Sequence, residues 1–348
     1  MYLLRLSRPA LPASRLRRWD RAQPCAQVLL WGLLAALWTG SPSQAQPSPG
    51  LDPAHALTQY VLDVWTVDEG LPQNSVTAVR RTADGFLWVG TQEGLARFDG
   101  VEFLGYEGLP SSFVSALHED RDGTLWVGTY GGLVALDPAR AQLGGSAFTA
   151  PVEGLPGSRV SVLASDARDA LWIGTFDGGL GRMTEDGTEA FSLTEGVPED
   201  AVMDIAVGAD GSVWIAMQTE GLVRYTRSSN DSGGTFTTLT GADGLPDAPL
   251  TGLALAPDGT LWITTERGLA RYDGSRFTTF GSADGLPMPD LRTVAADARG
   301  SVWLGGTDGG LARFYQGDFS ALSAGGDLPD GKVGALHLDG EGQPMGRD

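Results

Sequence analysis

Leu87-Trp88-Val89-Gly90-Thr91-Gln92-Glu93-Gly94-Leu95-Ala96-Arg97-Phe98-Asp99 is the stretch whose reading decides the fold. It returns as Leu125-Trp126-Val127-Gly128-Thr129 and as Leu171-Trp172-Ile173-Gly174-Thr175. Looser copies stand at Val213-Trp214-Ile215, Leu261-Trp262-Ile263-Thr264-Thr265 and Val302-Trp303-Leu304-Gly305-Gly306. The tryptophans are 38, 46, 42, 48 and 41 residues apart. Short apolar runs between Gly turns, recurring with a period near forty, are the signature of a β-propeller blade.

Outward from each Trp strand, the other strands of the blade can be placed. A Gly-Leu-Pro turn comes first, as at Glu69-Gly70-Leu71-Pro72, Glu107-Gly108-Leu109-Pro110 and Asp243-Gly244-Leu245-Pro246. Gly and Pro are needed there because the chain must leave an outer strand and cross to an inner one. An inner strand A follows, starting at Val76, Val114, Val160, Val202, Leu250 and Leu291. A tight turn such as Asp122-Gly123 or Asp258-Gly259 leads to the Trp strand B. Strand C begins at a Gly-Leu pair, and strand D is marked by Phe103, Phe148, Phe191, Phe236, Phe277 and Phe319. Longer C-to-D insertions at 138–146 and 228–234 account for the uneven Trp spacing. The fold expected is all-β: six complete four-stranded blades plus a partial seventh. Tyr60 to Val67 has the place of an outer strand without its own blade, and Lys332 to His337 begins a blade that stops before any Leu-Trp. Pairing the two closes the ring and removes open edges. On this reading the seventh blade has strands A and D but no B or C, the chain ends mid-blade, and the blade is frayed.

Ahead of the repeats lie Arg5, Arg8, Arg15, Arg17, Arg18 and Arg21, an apolar run from Val28 to Leu37, and Ser43-Gln44-Ala45. That order is a secretory signal peptide, 1–45, cleaved near Ala45. Residues 46–59 read as a linker and 60–348 as the propeller. The one cysteine, Cys25, precedes the apolar run and leaves with the leader, so the mature chain carries no disulfide. No later run is long enough to span a bilayer. The mature chain is therefore expected to be periplasmic or secreted, with no membrane span. A formal charge of −19, with Lys332 the single lysine, excludes nucleic acid as partner, which needs a basic face.

Each Trp is read as filler between its blade and the next, because it sits inside a strand with apolar neighbours. Glu119-Asp120-Arg121-Asp122-Gly123 is turn chemistry; it lacks the spacing of a calcium loop. His55, His118 and His337 have no zinc-ligand spacing, and no phosphate, dinucleotide or nucleophile-elbow motif stands in its required setting. No cofactor, metal or catalytic residue is expected. The order A-B-C-D puts the D-to-A and B-to-C loops on one face, where the repeats differ most. Variable side chains on a repetitive scaffold are where a ligand is read. Asn74, Tyr130, Arg159, Phe176, Gln218 and Arg267 are the binding candidates. Tyr130 and Phe176, with amides and carboxylates nearby, are of the kind that cradles a sugar or other polar small molecule.

The pattern Gly-Leu-Pro-x-x-x-Val, Asp-x-x-Gly-x-Leu-Trp-Val-Gly-Thr and Gly-Leu-x-Arg-Phe-Asp resembles the two-component regulator propeller repeat over residues 60–338. The entry Trp65-Thr66-Val67-Asp68-Glu69-Gly70-Leu71-Pro72 is similar to the opening of such a domain. The resemblance implies a non-enzymatic periplasmic sensor domain that binds a small molecule or oligosaccharide and works with a sensor kinase. In that family two propellers are usually followed by an immunoglobulin-like domain, a membrane helix and a histidine kinase. Here one incomplete propeller stands with nothing after it, so a truncated or stand-alone form is expected and no kinase residue carries over. Two alternatives remain. One is an enzyme similar to the streptogramin lyases, which use a His and a bound metal at the channel. The other is a secreted scaffold that binds protein.

Overall fold

The computed structural model describes residues 3–7, 52–53, 55–137, 147–228, 233–328, 332–333, 335–338 and 344–347. Among the described residues there are seven sheets; five show the expected A-B-C-D order in full, one shows A, B and C, and one is assembled from both ends of the chain, and their inner strands follow one another around a ring. Blade 1 is Val76–Arg81, Leu87–Thr91, Gly94–Phe98 and Phe103–Tyr106. Blade 3 runs from Val160–Ser165 to Gly187–Phe191, blade 4 from Val202–Val207 to Gly234–Leu239. Blade 5 runs from Leu250–Leu255 to Phe277–Phe280, and blade 6 from Leu291–Ala296 to Asp318–Leu322. Blade 2 has three regular strands, Val114–Glu119, Leu125–Thr129 and Gly132–Ala135. Its expected fourth strand is reduced to the single bridge Leu136–Phe148.

The seams between blades are made by the residues the repeat places there. Trp88 packs with Val114, Leu125 and Val127 of blade 2, and Trp172 with Val202, Ile205 and Tyr225 of blade 4. Trp214 and Trp262 do the same against blades 5 and 6. The reading of Trp as inter-blade filler therefore holds. Opposite five of the six Trp on strand C stands an arginine, Arg97, Arg182, Arg224, Arg271 or Arg313, and the guanidiniums of Arg97, Arg182, Arg224 and Arg313 lie over the indole. In blade 2 that position is Ala135, and Trp126 alone of the six is not fully buried. Every complete inner strand also has a bulge after its first residue. Bulges re-aim side chains at a rim, and here they set apart the residues that lead into strand A.

The D-to-A crossing is a capped turn. In Thr66-Val67-Asp68-Glu69-Gly70, Thr66 accepts from Asp68 N, Glu69 reaches back to Thr66 N at 2.6 Å, and Gly70 takes φ 102°. Ser192 and Glu195, then Thr240 and Asp243, repeat this reciprocal cap. The Gly of the Gly-Leu-Pro turn is therefore required by a left-handed backbone.

The seventh sheet departs from expectation. Its order is Val61–Trp65, Leu3–Ser7, Pro344–Arg347, Ala335–Leu338. The two middle places, expected to be empty, are filled by the chain's first and last described segments, each paired antiparallel. The physical reason is that the facing edges of Val61–Trp65 and Ala335–Leu338 carry unpaired backbone groups that only another strand satisfies. The polarity of the 339–348 tail was a poor guide, because strand pairing uses backbone rather than side chains. Leu3–Ser7 falls inside the segment expected to leave as a signal peptide, 1–45, and this strand is at odds with that expectation; the rest of the segment, with its apolar run and cleavage site, lies outside the described residues. The end of the segment read as a linker is packed: Leu57 is buried beside Trp303 and Leu322 of blade 6. Leu62 and Val64 join that cluster, while Trp65 turns to blade 1, edge-on to Phe98 at 5.3 Å. One outer strand thus seals seams on both of its sides.

Candidate functional site

The upper face of the ring, where D-to-A and B-to-C loops meet, is built by one repeated hydrogen bond. The first residue of each B-to-C tip donates its N–H to the carbonyl of the residue before strand A. The pairs are Gln92–Ser75, Tyr130–Phe113, Phe176–Arg159, Gln218–Ala201, Glu266–Pro249 and Thr307–Asp290, at 2.8–3.2 Å. Twelve side chains are thereby fixed in a rim by backbone alone, and their identity is free to vary.

Blades 2 and 3 use that freedom to make an aromatic cluster. Phe113 stacks on Tyr130, with centroids 4.0 Å apart and planes at 16°. Phe176 meets Tyr130 edge-on at 5.7 Å. The Arg159 guanidinium carbon lies 4.5 Å above the Tyr130 ring and 5.8 Å from that of Phe176. The three rings are half-buried and Arg159 is exposed. Asp177, the nearest carboxylate along the tip, is turned inward: it accepts from Arg159 N and from Ser158 Oγ, each at 3.0 Å. Burial works against this carboxylate, but those donors outweigh it and hold its pKa below the usual value.

Three sequence candidates, Tyr130, Arg159 and Phe176, are therefore brought together. Gln218 shares a groove of about 530 Å³ with Phe176, between blades 3 and 4, lined also by Val197, Pro198 and Asp200. Arg267 lies one seam further on, in a groove of about 410 Å³ with Thr219, Glu220 and Asp247. Asn74 stands apart: its side-chain oxygen accepts from Val67 N at 2.7 Å and braces the D-to-A turn. Phe113 was missed. Aligning the blades on the first residue of strand A puts Phe113 level with Ser75, Arg159, Ala201, Pro249 and Asp290. Counting three residues on from the Pro of the Gly-Leu-Pro turn reaches the same position in every blade, so the repeat itself held the signal for Phe113.

The lower half of the ring wall carries two displaced titrations. His118 Nε2 is 2.7 Å from Ser165 Oγ of the next blade. Burial, then the charge of Arg80, lowers its pKa to about 4, with Asp120 acting the other way. Asp204, part-buried on the inner strand of blade 4, accepts from Leu253 N at 2.7 Å and Ile205 N at 2.8 Å. Burial raises its pKa to about 6 against those two bonds. Among the described residues no group of three His, Cys, Asp or Glu side chains is placed to hold a metal ion. No helix among them is long and apolar enough to cross a membrane. A groove of about 800 Å³ is on the lower face between blades 4 and 5, lined by Trp214, Arg224, Leu255 and Tyr272.

Residues 70–93 and 108–131 match the family described as two component regulator propeller, as the repeat's resemblance implied. No curated protein sequence matches the chain. Among solved structures, it is similar to the extracellular domain of a putative hybrid two component system from B. thetaiotaomicron. The TM-score is 0.68 at 22% identity, over 80% of this chain and 38% of that one. The extracellular domain of a putative one component system from the same organism gives 0.63 at 18%, over 83% and 43%. Virginiamycin B lyase from Staphylococcus aureus gives 0.63 at 15%, over 79% and 94%. The chain spans about two fifths of the length of the two sensor domains. At these identities the likenesses establish the propeller fold.

Proposed function

We propose that the chain is a ligand-reading propeller of the two-component sensor type, working outside the cytoplasm without catalysis of its own. The observation that carries this is the cluster of Phe113, Tyr130, Arg159 and Phe176 on one part of the upper rim. Nothing in the packing of the blades asks for aromatic rings there, since the other rim pairs hold the same backbone bond as Gln–Ser, Gln–Ala, Glu–Pro and Thr–Asp. The matched repeats and the two similar extracellular sensor domains support the same role and the same compartment. A small polar ligand, an oligosaccharide among them, suits half-buried rings beside a groove. Output passes to a separate or attached signalling partner such as a histidine kinase.

The experiment is a thermal-shift screen of the purified chain against small saccharides and organic acids, repeated with Tyr130→Ala and Phe176→Ala. A shift in the wild type that both variants lose supports the reading. No shift from any compound turns the case toward a protein-binding scaffold. The lyase reading rests on fold likeness at 15% identity. It requires turnover of a cyclic peptide antibiotic, which a hydrolysis or elimination assay reads directly.

A further inference from the structure

Arg159, the residue before its inner strand, differs from Arg292, the second residue of the inner strand of blade 6. Arg292 is 3.5 Å from Glu266 and 3.9 Å from Asp290. Elsewhere Arg121 meets Asp169, Arg182 meets Glu189 and Arg227 meets Asp166. Among the described residues no carboxylate pairs with the Arg159 guanidinium: it lies over the rings of Tyr130 and Phe176, and the neighbouring Asp177 accepts from Ser158 Oγ and the Arg159 backbone N–H instead. A guanidinium resting on a ring face keeps its fork of N–H donors for an acceptor, and that fork matches a carboxylate.

We propose that the Arg159 guanidinium, with the Tyr130–Phe113 stack and Phe176, selects ligands in which a carboxylate is attached to a ring with a flat apolar face. The inference rests on the ligand-reading role above and adds its charge requirement. Arg159 takes the carboxylate. Tyr130 and Phe176 take the face of the ring, and the 530 Å³ groove beyond Phe176, with Gln218 at its far side, takes what the ring carries. Two sources share this chemistry, uronic acids and aromatic acids. The rim favours neither by charge alone.

The test is calorimetric titration of the full chain with two pairs of probes: digalacturonate against galactobiose, and 4-hydroxybenzoate against 4-hydroxybenzyl alcohol. At least one acid is expected to bind ten-fold or more tighter than its neutral partner. Arg159→Gln is expected to abolish that preference, and Arg159→Lys to restore part of it; exposure of Arg159 leaves the melting temperature of both variants within a degree or two of wild type. Which acid binds identifies the source. Equal binding of acid and neutral probe that Tyr130→Ala removes overturns the charge requirement while leaving the ligand-reading role standing. Acid binding that persists in Arg159→Gln, or no acid binding at all, also overturns it.

Discussion

Gly128 lies so close to Val160 that a methyl group on its Cα would sit 2.5 Å from Val160 Cγ1. The same approach recurs from Gly90 to Val114, Gly174 to Val202 and Gly305 to Val333, each across the seam to the next blade's inner strand. Where strand B has a larger residue at this place, Ala216 or Thr264, the partner is Leu250 or Leu291 instead of Val. Size is conserved across the seam, not within the repeat. A β-branched side chain brings bulk up to the backbone and demands Gly, while Leu carries its branch one carbon further out. Gly128→Ala should therefore destabilise by about 1–3 kcal/mol through overpacking. Adding Val160→Leu should recover a large part of that loss, giving a coupling of about 1 kcal/mol or more in denaturant titrations. Strictly additive effects would falsify the seam argument.

Trp126, Trp172 and Trp303 each donate the indole N–H to an aspartate six residues earlier, Asp120 at 2.8 Å, Asp166 at 3.2 Å and Asp297 at 3.1 Å. The other oxygen of each carboxylate accepts two N–H groups of the A-to-B turn, so one side chain ties hairpin to seam. Blades 4 and 5 have Gly208 and Ala256 at this place, and the groove of about 800 Å³ opens between them. The turn around Ala256 has the same backbone bonds as that around Asp120. Ala256→Asp should thus stabilise by roughly 1 kcal/mol, and Asp297→Ala should cost about 1–3 kcal/mol by leaving a buried indole N–H and turn donors without acceptors. Thermal melts check both, and a lower melting point for Ala256→Asp counts against the tie.

Asn74 tests whether rim position alone makes a residue functional. Its oxygen is committed to Val67 N, so Asn74→Ala should lower stability by about 1 kcal/mol. It should leave untouched any ligand-induced thermal shift that Tyr130→Ala abolishes. A lost shift in Asn74→Ala would return it to the binding set.

How much of this was legible depends on what each feature is made of. The blades were legible because Trp88 and its five counterparts recur with fixed neighbours, and recurrence is visible in one chain. The D-to-A crossing was legible through Gly70 and its repeats, since left-handed backbone leaves few alternatives to Gly. The seventh sheet was not: Leu3–Ser7 and Pro344–Arg347 join it by backbone pairing, which imposes no repeat signature. The cluster was half legible. Tyr130, Arg159 and Phe176 could be named as rim side chains, but that they touch follows from how blades 2 and 3 meet, which the repeat does not record. Phe113 stands three residues after Pro110, as Arg159 does after Pro156, so the repeat could have given it. Asp120, Asp166 and Asp297 were written into the repeat pattern as its opening Asp, yet their bond to Trp needed the geometry of the turn.

His118 and Asp204 make opposite contributions to acid stability, and single variants should separate them. Folded His118 titrates near 4, below the ordinary value of 6.5. The unfolded chain therefore binds more protons between these values, and stability from His118, up to about 3 kcal/mol, is present above pH 6.5 and lost as pH falls toward 4. Folded Asp204 titrates near 6, above its ordinary 3.8. Here the folded chain binds more protons, so stability falls as pH rises from about 4 to 6 and stays reduced above that. The two slopes oppose each other across the same window, and the wild type should show a shallow melting profile between pH 4 and 6.5. His118→Gln should unmask the Asp204 slope and melt higher at pH 4.5 than at pH 6.5, relative to wild type. Asp204→Asn should unmask His118, with stability dropping steeply on acidification. Parallel profiles for all three proteins between pH 4 and 6.5 would show that neither group titrates as its surroundings require.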